Sequence, residues 1–213
     1  MAMTEQIENY IKSHIDPEPD NLYRLYRRVN TSLLYSRMCS GHLQGRLLKM
    51  LTAMINPMRV LEIGTYAGYS ALCIAEGLRS DDARVDTIEI EEEMEDFIRE
   101  QLNASPVGHR VNLHIGDAMQ IIPALNADWD LVYIDANKRV YCDYYNLLID
   151  HLRPNTFIIA DNTLWDEKIL DTETNNDPQT LGIARFNDLV AADPRVETVI
   201  IPLRDGLTLL RKI

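Results

Sequence analysis

The chain has 213 residues and carries 21 Lys and Arg against 33 Asp and Glu, a formal net charge of −12. At 46% hydrophobic and 25% charged it has the balance of a globular chain, which excludes disorder and collagen and predicts one domain over residues 1–213 with its own core. The acidity argues against nucleic-acid packaging, and the lack of any apolar run near eighteen residues or a leader-like N-terminus predicts neither a membrane span nor secretion.

Residues 1–57 read as N-terminal cover helices. Ile7, Tyr10, Ile11 and Ile15 recur at three-to-four spacing, and Leu22, Leu25, Tyr26 and Val29 repeat the pattern after Pro17 and Pro19 break the chain. From residue 58 the pattern becomes that of a layered core. Strands are expected at 59–63, 84–90, 111–115, 129–134 and 156–160, each apolar enough to be buried on both faces. Helices are expected between them at 69–78, 91–102, 118–125 and 140–152. Repeated strand–helix–strand order predicts an α/β fold with a doubly wound, parallel sheet and right-handed crossovers. The final runs, 196–203 and 207–213, are joined by Arg204-Asp205-Gly206, a link so short that the pair must be antiparallel. The polar stretch 166–179 reads as an exposed loop and a candidate lid.

Acids gather at the carboxyl ends of these strands. The first runs into Leu61-Glu62-Ile63-Gly64-Thr65-Tyr66-Ala67-Gly68-Tyr69-Ser70, a glycine-punctuated turn that admits either a ligand or simply a tight bend. Its G-x-x-x-G spacing disfavours a dinucleotide, and Glu62 repels phosphate but suits an ammonium or sulfonium group. Glu89, at the tip of the second strand, is placed for the ribose hydroxyls of a nucleoside. Asp117, in Gly116-Asp117-Ala118, suits an adenine amino group or a helix N-cap. Asp135, Lys138, Asp161 and Asn162 follow the fourth and fifth strands. Two carboxylates and an amide oxygen are hard donors for Mg²⁺ or Ca²⁺, although acids after strands also serve as helix caps. The five histidines show no ligand spacing, and Cys39, Cys73 and Cys142, without a CxxC pair, read as free cytoplasmic thiols.

The run LEIGTYAGYS, Glu89, GDA at 116–118, DLVYIDANKRVY at 130–141, ADNTLW at 160–165 and PLRDGLTL at 202–209 resembles the metal-dependent O-methyltransferases that include catechol and caffeoyl-CoA O-methyltransferases and bacterial relatives. Met38-Cys39-Ser40 and Gly45-Arg46-Leu47-Leu48 extend the resemblance over residues 35 to 213. It implies a Rossmann-like, seven-stranded sheet with an antiparallel last strand. It implies an S-adenosylmethionine site formed by Met38, Glu62, Gly64, Tyr66, Ser70, Glu89, Asp117, Ala118 and Asp135. Asp135, Asp161 and Asn162 would hold Mg²⁺, or another divalent cation such as Mn²⁺, and Lys138 would be the base beside Asp135. A homodimer is also implied. Asn137, Val140 and the turn Pro154-Asn155-Thr156 depart from the family pattern. The asparagine is expected to tolerate left-handed geometry there.

The expected activity is methyl transfer to a hydroxyl of a small phenolic or catechol-type acceptor. Trp165, Tyr66 and the 166–179 stretch are where a planar acceptor would be enclosed. The alternative acceptor is a hydroxylated uridine of transfer RNA, for which Arg24, Arg27 and Arg28 with Tyr23 and Tyr26 offer a helix face; the same face also reads as ordinary solvated surface. A nicotinamide dehydrogenase and a binding-only module compete, and neither accounts for the set Asp135, Lys138, Asp161 and Asn162.

Overall fold

The computed structural model describes residues 4–172 and 176–213. Helices α1 (Glu5–His14), α2 (Asp20–Ser32) and α3 (His42–Ile55) come first. Strands and helices then alternate as β1 (Arg59–Ile63), α4 (Tyr69–Gly77), β2 (Arg84–Glu89), α5 (Glu95–Asn103), β3 (Val111–Ile115) and α6 (Ala118–Leu125). The chain continues through β4 (Leu131–Ile134), α7 (Tyr141–Ile149), β5 (Phe157–Asp161) and α8 (Pro178–Ala192) to β6 (Val196–Ile201) and β7 (Leu207–Lys212). The seven strands form one sheet in the order β3-β2-β1-β4-β5-β7-β6, with β7 antiparallel to β5 and β6. The expected α/β class and antiparallel last strand are both present. Among the described residues no helix is long and apolar enough to cross a membrane.

Two compact units emerge, residues 1–58 with 65–118 and residues 59–64 with 119–213. In the first, Thr4 caps α1, its side chain accepting from the Ile7 amide, and acids precede bases along the helix as its dipole prefers. Helix α2 buries Leu22, Leu25 and Val29, the stripe expected from the spacing. Helix α3 lies within the residues read as helical but has no apolar stripe of its own in the sequence, because its buried residues are Gln44, Gly45, Arg46, Leu48 and Thr52, an inner face that is mostly polar or small. Arg46 is tolerated there because it meets Glu76 at 2.5 Å, a buried ion pair.

In the second unit β4 is buried along its whole length, as a central parallel strand must be. Its register sets Glu62 of β1 opposite Tyr133, and Ile134 opposite Ala160 of β5. The residues that follow, Asp135 and Asp161, therefore leave the sheet at one rim. Helix α8 was not expected, although its start is signalled locally: Asp177 caps it by accepting from the Thr180 amide, with Pro178 in the first turn.

The stretch 166–179 is only partly the exposed loop expected. Trp165–Asp171 forms 3-10 turns and α8 begins at Pro178, while residues 173–175 lie outside the described residues. Its beginning is tied down, since the Leu164 and Trp165 amides donate to the Asp205 carbonyl at 2.7 and 3.2 Å. Trp165, Asp166 and Glu167 all take positive φ. The Asp205 carboxyl in the same turn is raised by burial and then by Asp166 beside it. At the departure from the family turn, Asn155 takes φ +69° and accepts from Arg211, as expected for a left-handed asparagine.

Candidate active site

The carboxyl ends of β1, β4 and β5 gather one group of the expected residues. The 3-10 turn Lys138–Val140 follows β4, capped by Asn137, whose Oδ1 accepts from the Arg139 amide. This turn sends Lys138 back to the rim, where its Nζ donates to Asp135 Oδ1 at 2.8 Å and to the Tyr141 hydroxyl at 2.8 Å. Lys138 is 5% exposed and Asp161 3% exposed, so these charged groups sit where water screens them little. Asp161 is held on both oxygens: Oδ1 accepts from the Asn162 amide at 2.8 Å and Oδ2 from the Tyr133 hydroxyl at 2.9 Å.

Burial first, and then the carboxylates of Asp161 and Asp135, push the Tyr133 phenol far above its ordinary range. Glu62 adds to that shift, which brings the buried carboxylate of β1 into the same electrostatic environment. Glu62, Asp135 and Asp161 thus share this end with one ammonium. Such a balance suits a further cation. The oxygen-only set of Asp135, Asp161 and Asn162 is of the kind that takes Mg²⁺ or Ca²⁺ in preference to zinc.

Gly64 closes β1 with φ +99°, and a Cβ there would stand 2.2 Å from the Asp135 carbonyl oxygen. Glycine is required by the protein's own backbone at this point.

The other unit gathers a second group around the turn after β1. Glu89 Oε2 accepts from the Tyr66 amide at 2.6 Å, and Oε1 from the Glu91 amide at 2.9 Å. One lone pair of each oxygen is thereby occupied and one remains, the pattern a vicinal diol needs. The carboxylate also organises the turn itself, a role its position in the sequence did not reveal. A contact of 2.5 Å between the Thr65 and Thr87 hydroxyls ties the turn to β2 a second time. Tyr66 takes φ +49°, and its hydroxyl is buried without a hydrogen-bond partner. That orphaned atom fits a place prepared for a ligand. Ser70 and Ala118 are buried, Asp117 is half-buried, and Met38 is exposed.

The helix face offered for RNA is partly occupied. Arg28 pairs with Glu100 at 2.6 Å and lies over the Phe97 ring, whereas Arg24 and Arg27 are exposed.

The model of the O-methyltransferase family matches residues 13–213. The chain belongs to this family. It is 31% identical to a caffeoyl-CoA O-methyltransferase of Petroselinum crispum, covering 100% of this chain and 93% of the relative. It is 28% identical to a catechol O-methyltransferase of Niastella koreensis, covering 93% and 90%. Among solved structures, the O-methyltransferase TomG from Streptomyces achromogenes, in complex with S-adenosylmethionine, superposes with a TM-score of 0.90 at 28% identity, covering 99% of each chain. The Podospora anserina methyltransferase PaMTH1, bound to S-adenosylhomocysteine, gives 0.90 at 28%, covering 100% and 98%.

Two structural features of this O-methyltransferase escaped the sequence reading. The buried phenols of Tyr133 and Tyr141 brace the rim, and the only sequence signal for the second was its place three residues after Lys138. The other is Gly182 of α8, where a Cβ would stand 2.4 Å from the Lys138 carbonyl oxygen. Gly182→Ala should therefore cost about 1–3 kcal/mol of stability by overpacking, lowering Tm by roughly 2–12 °C. Scanning calorimetry checks this, and an unchanged Tm would show that the helix yields without strain.

Proposed function

We propose that the chain transfers the methyl group of S-adenosylmethionine to a hydroxyl of a small phenolic or catechol-type acceptor, with a divalent cation bound by Asp135, Asp161 and Asn162. The observation that carries this reading is the rim where Lys138, Asp135 and Asp161 converge around the buried Tyr141 hydroxyl. Of the groups implied, S-adenosylmethionine supplies an electrophilic sulfonium methyl and the cation a Lewis acid that favours the ionised acceptor hydroxyl.

The rest falls to the protein. Glu89 accepts from the ribose hydroxyls with the lone pairs its backbone donors leave, and Asp117 from the adenine amino group. Glu62 balances positive charge on the cofactor. Tyr66, Ser70, Ala118, Met38 and Gly64 complete the cofactor site. Lys138, as the amine, takes the proton of the acceptor hydroxyl, and Tyr133 keeps Asp161 aimed by donating to one oxygen. Methyl transfer then needs only an oxygen nucleophile held in line with the carbon–sulfur bond.

A transfer-RNA acceptor is less well supported, because the chain is acidic and Arg28 is committed to Glu100. The family resemblance further implies a cytoplasmic homodimer, a pairing that light scattering checks.

Glu89→Gln should weaken S-adenosylmethionine binding by about tenfold or more, since it removes charge-assisted bonds and turns an amide donor toward a backbone N–H. Titration calorimetry reads this directly; wild-type affinity would remove Glu89 from the cofactor site. The reaction itself is tested with labelled S-adenosylmethionine and Mg²⁺, using a panel of catechols beside undermodified transfer RNA. Label in a catechol supports the proposal, and label confined to RNA overturns the acceptor.

A further inference from the structure

We propose that Tyr141 is a positioning residue for Lys138; this rests on the reading of Lys138 as the base. The Tyr141 oxygen accepts from Lys138 Nζ at 2.8 Å. Its proton is shared between the carbonyl oxygens of Ile134, at 3.0 Å, and Asp161, at 3.1 Å. These carbonyls belong to the last residues of β4 and β5. One hydroxyl therefore references the lysine nitrogen to both strand tips, from which Asp135, Asp161 and Asn162 project.

The need for such a reference follows from the side chain. Lysine carries its charge on a flexible four-carbon stem, and the capped turn of Lys138 orients only its backbone. Asp135 provides one acceptor and Tyr141 a second, so both N–H bonds of the amine form are assigned and its lone pair is left for an incoming hydroxyl.

The phenol cannot swing away. Tyr141 is fully buried, its ring meets Phe186 of α8 edge-on at 5.4 Å, and Gly182 lets α8 approach the Lys138 carbonyl closely. With its proton committed to two backbone carbonyls, Tyr141 is not itself the base.

The test compares Tyr141→Phe, Lys138→Met and the double variant, with calorimetry confirming that each is folded. Tyr141→Phe should lower kcat by about ten- to a hundredfold through misplacement of the amine, with KM for both substrates within about twofold. In the Lys138→Met background the same change should have almost no further effect, because residues acting as a unit are not additive. Equal losses in both backgrounds, or an unchanged kcat, would overturn the inference.

Lysine-selective ¹⁵N NMR on the ligand-free protein supplies a readout independent of activity. The Lys138 Nζ signal, identified by its loss in Lys138→Met, should be resolved and slow to exchange in the wild type and averaged with the other lysines in Tyr141→Phe. If the wild-type signal is already averaged, or survives the substitution, Tyr141 does not hold the lysine. Full activity of Lys138→Met would instead remove the base assignment, and with it the catalytic part of this inference.

Discussion

Asp161→Ala should lower divalent-cation-dependent methyl transfer by roughly a thousandfold, about 4 kcal/mol of barrier, while S-adenosylmethionine binding stays near wild type. The expectation follows from geometry: Asp161 is almost wholly buried at the end of β5, with one oxygen aimed by Tyr133 and the other by the Asn162 amide. Removing it leaves the Tyr133 phenol without that acceptor, which costs about 1–3 kcal/mol of stability. Asp161→Asn is therefore the companion variant, keeping an acceptor for Tyr133 while removing the charge that favours a cation. Methyl transfer over a Mg²⁺ titration, together with calorimetry for the cofactor, separates lost chemistry from lost folding. Wild-type activity of either variant in excess chelator would sink the metal role of this rim.

Lys138→Met should reduce kcat at neutral pH by about 10²–10⁴, the range typical of a positioned general base. Methionine occupies a similar volume and keeps the apolar part of the packing, so a fall in kcat without a fall in Tm points to the amine. The pH dependence has a definite sign. Without a base the reaction needs an acceptor that has ionised by itself, so the variant's rate should rise about tenfold per pH unit until the phenol is fully ionised. The deficit against wild type then shrinks as pH rises. A variant as active as wild type at pH 7 would show that the proton leaves by another route.

The places of Glu89, Asp135 and Asp161 were legible because in a parallel α/β sheet the residues that close or directly follow a strand land at a rim, and short apolar runs mark where strands close; Glu62 lies one residue inside β1. The antiparallel pairing of β6 with β7 was legible for a similar reason, since a link of only five residues, 202–206, leaves the chain no other course. Helices α3 and α8 were harder to find. The inner face of α3 carries Gln44, Arg46 and Thr52, which burial makes acceptable only once Glu76 and the backbone of the helix are in place to satisfy them. The stretch after Trp165 was legible as exposed, and Asp166 and Glu167 are exposed; the 3-10 turns and the backbone bonds from Leu164 and Trp165 to Asp205, some forty residues later in the chain, were not legible because they depend on a remote partner.

Strand order within each β-α-β unit, the excess of acid and the residues closing each strand follow from sequence alone, because local periodicity and chain connectivity decide them. Tertiary structure decided the insertion of β7 between β5 and β6, the close approach of Gly182 to the Lys138 carbonyl, and the hydrogen bonds among Lys138, Tyr141 and the tips of β4 and β5. These depend on distances between groups remote in the chain. Tyr133 shows the difference: in the sequence it is one more apolar-strand residue, and only the register of β4 against β5 turns its hydroxyl into the partner of Asp161.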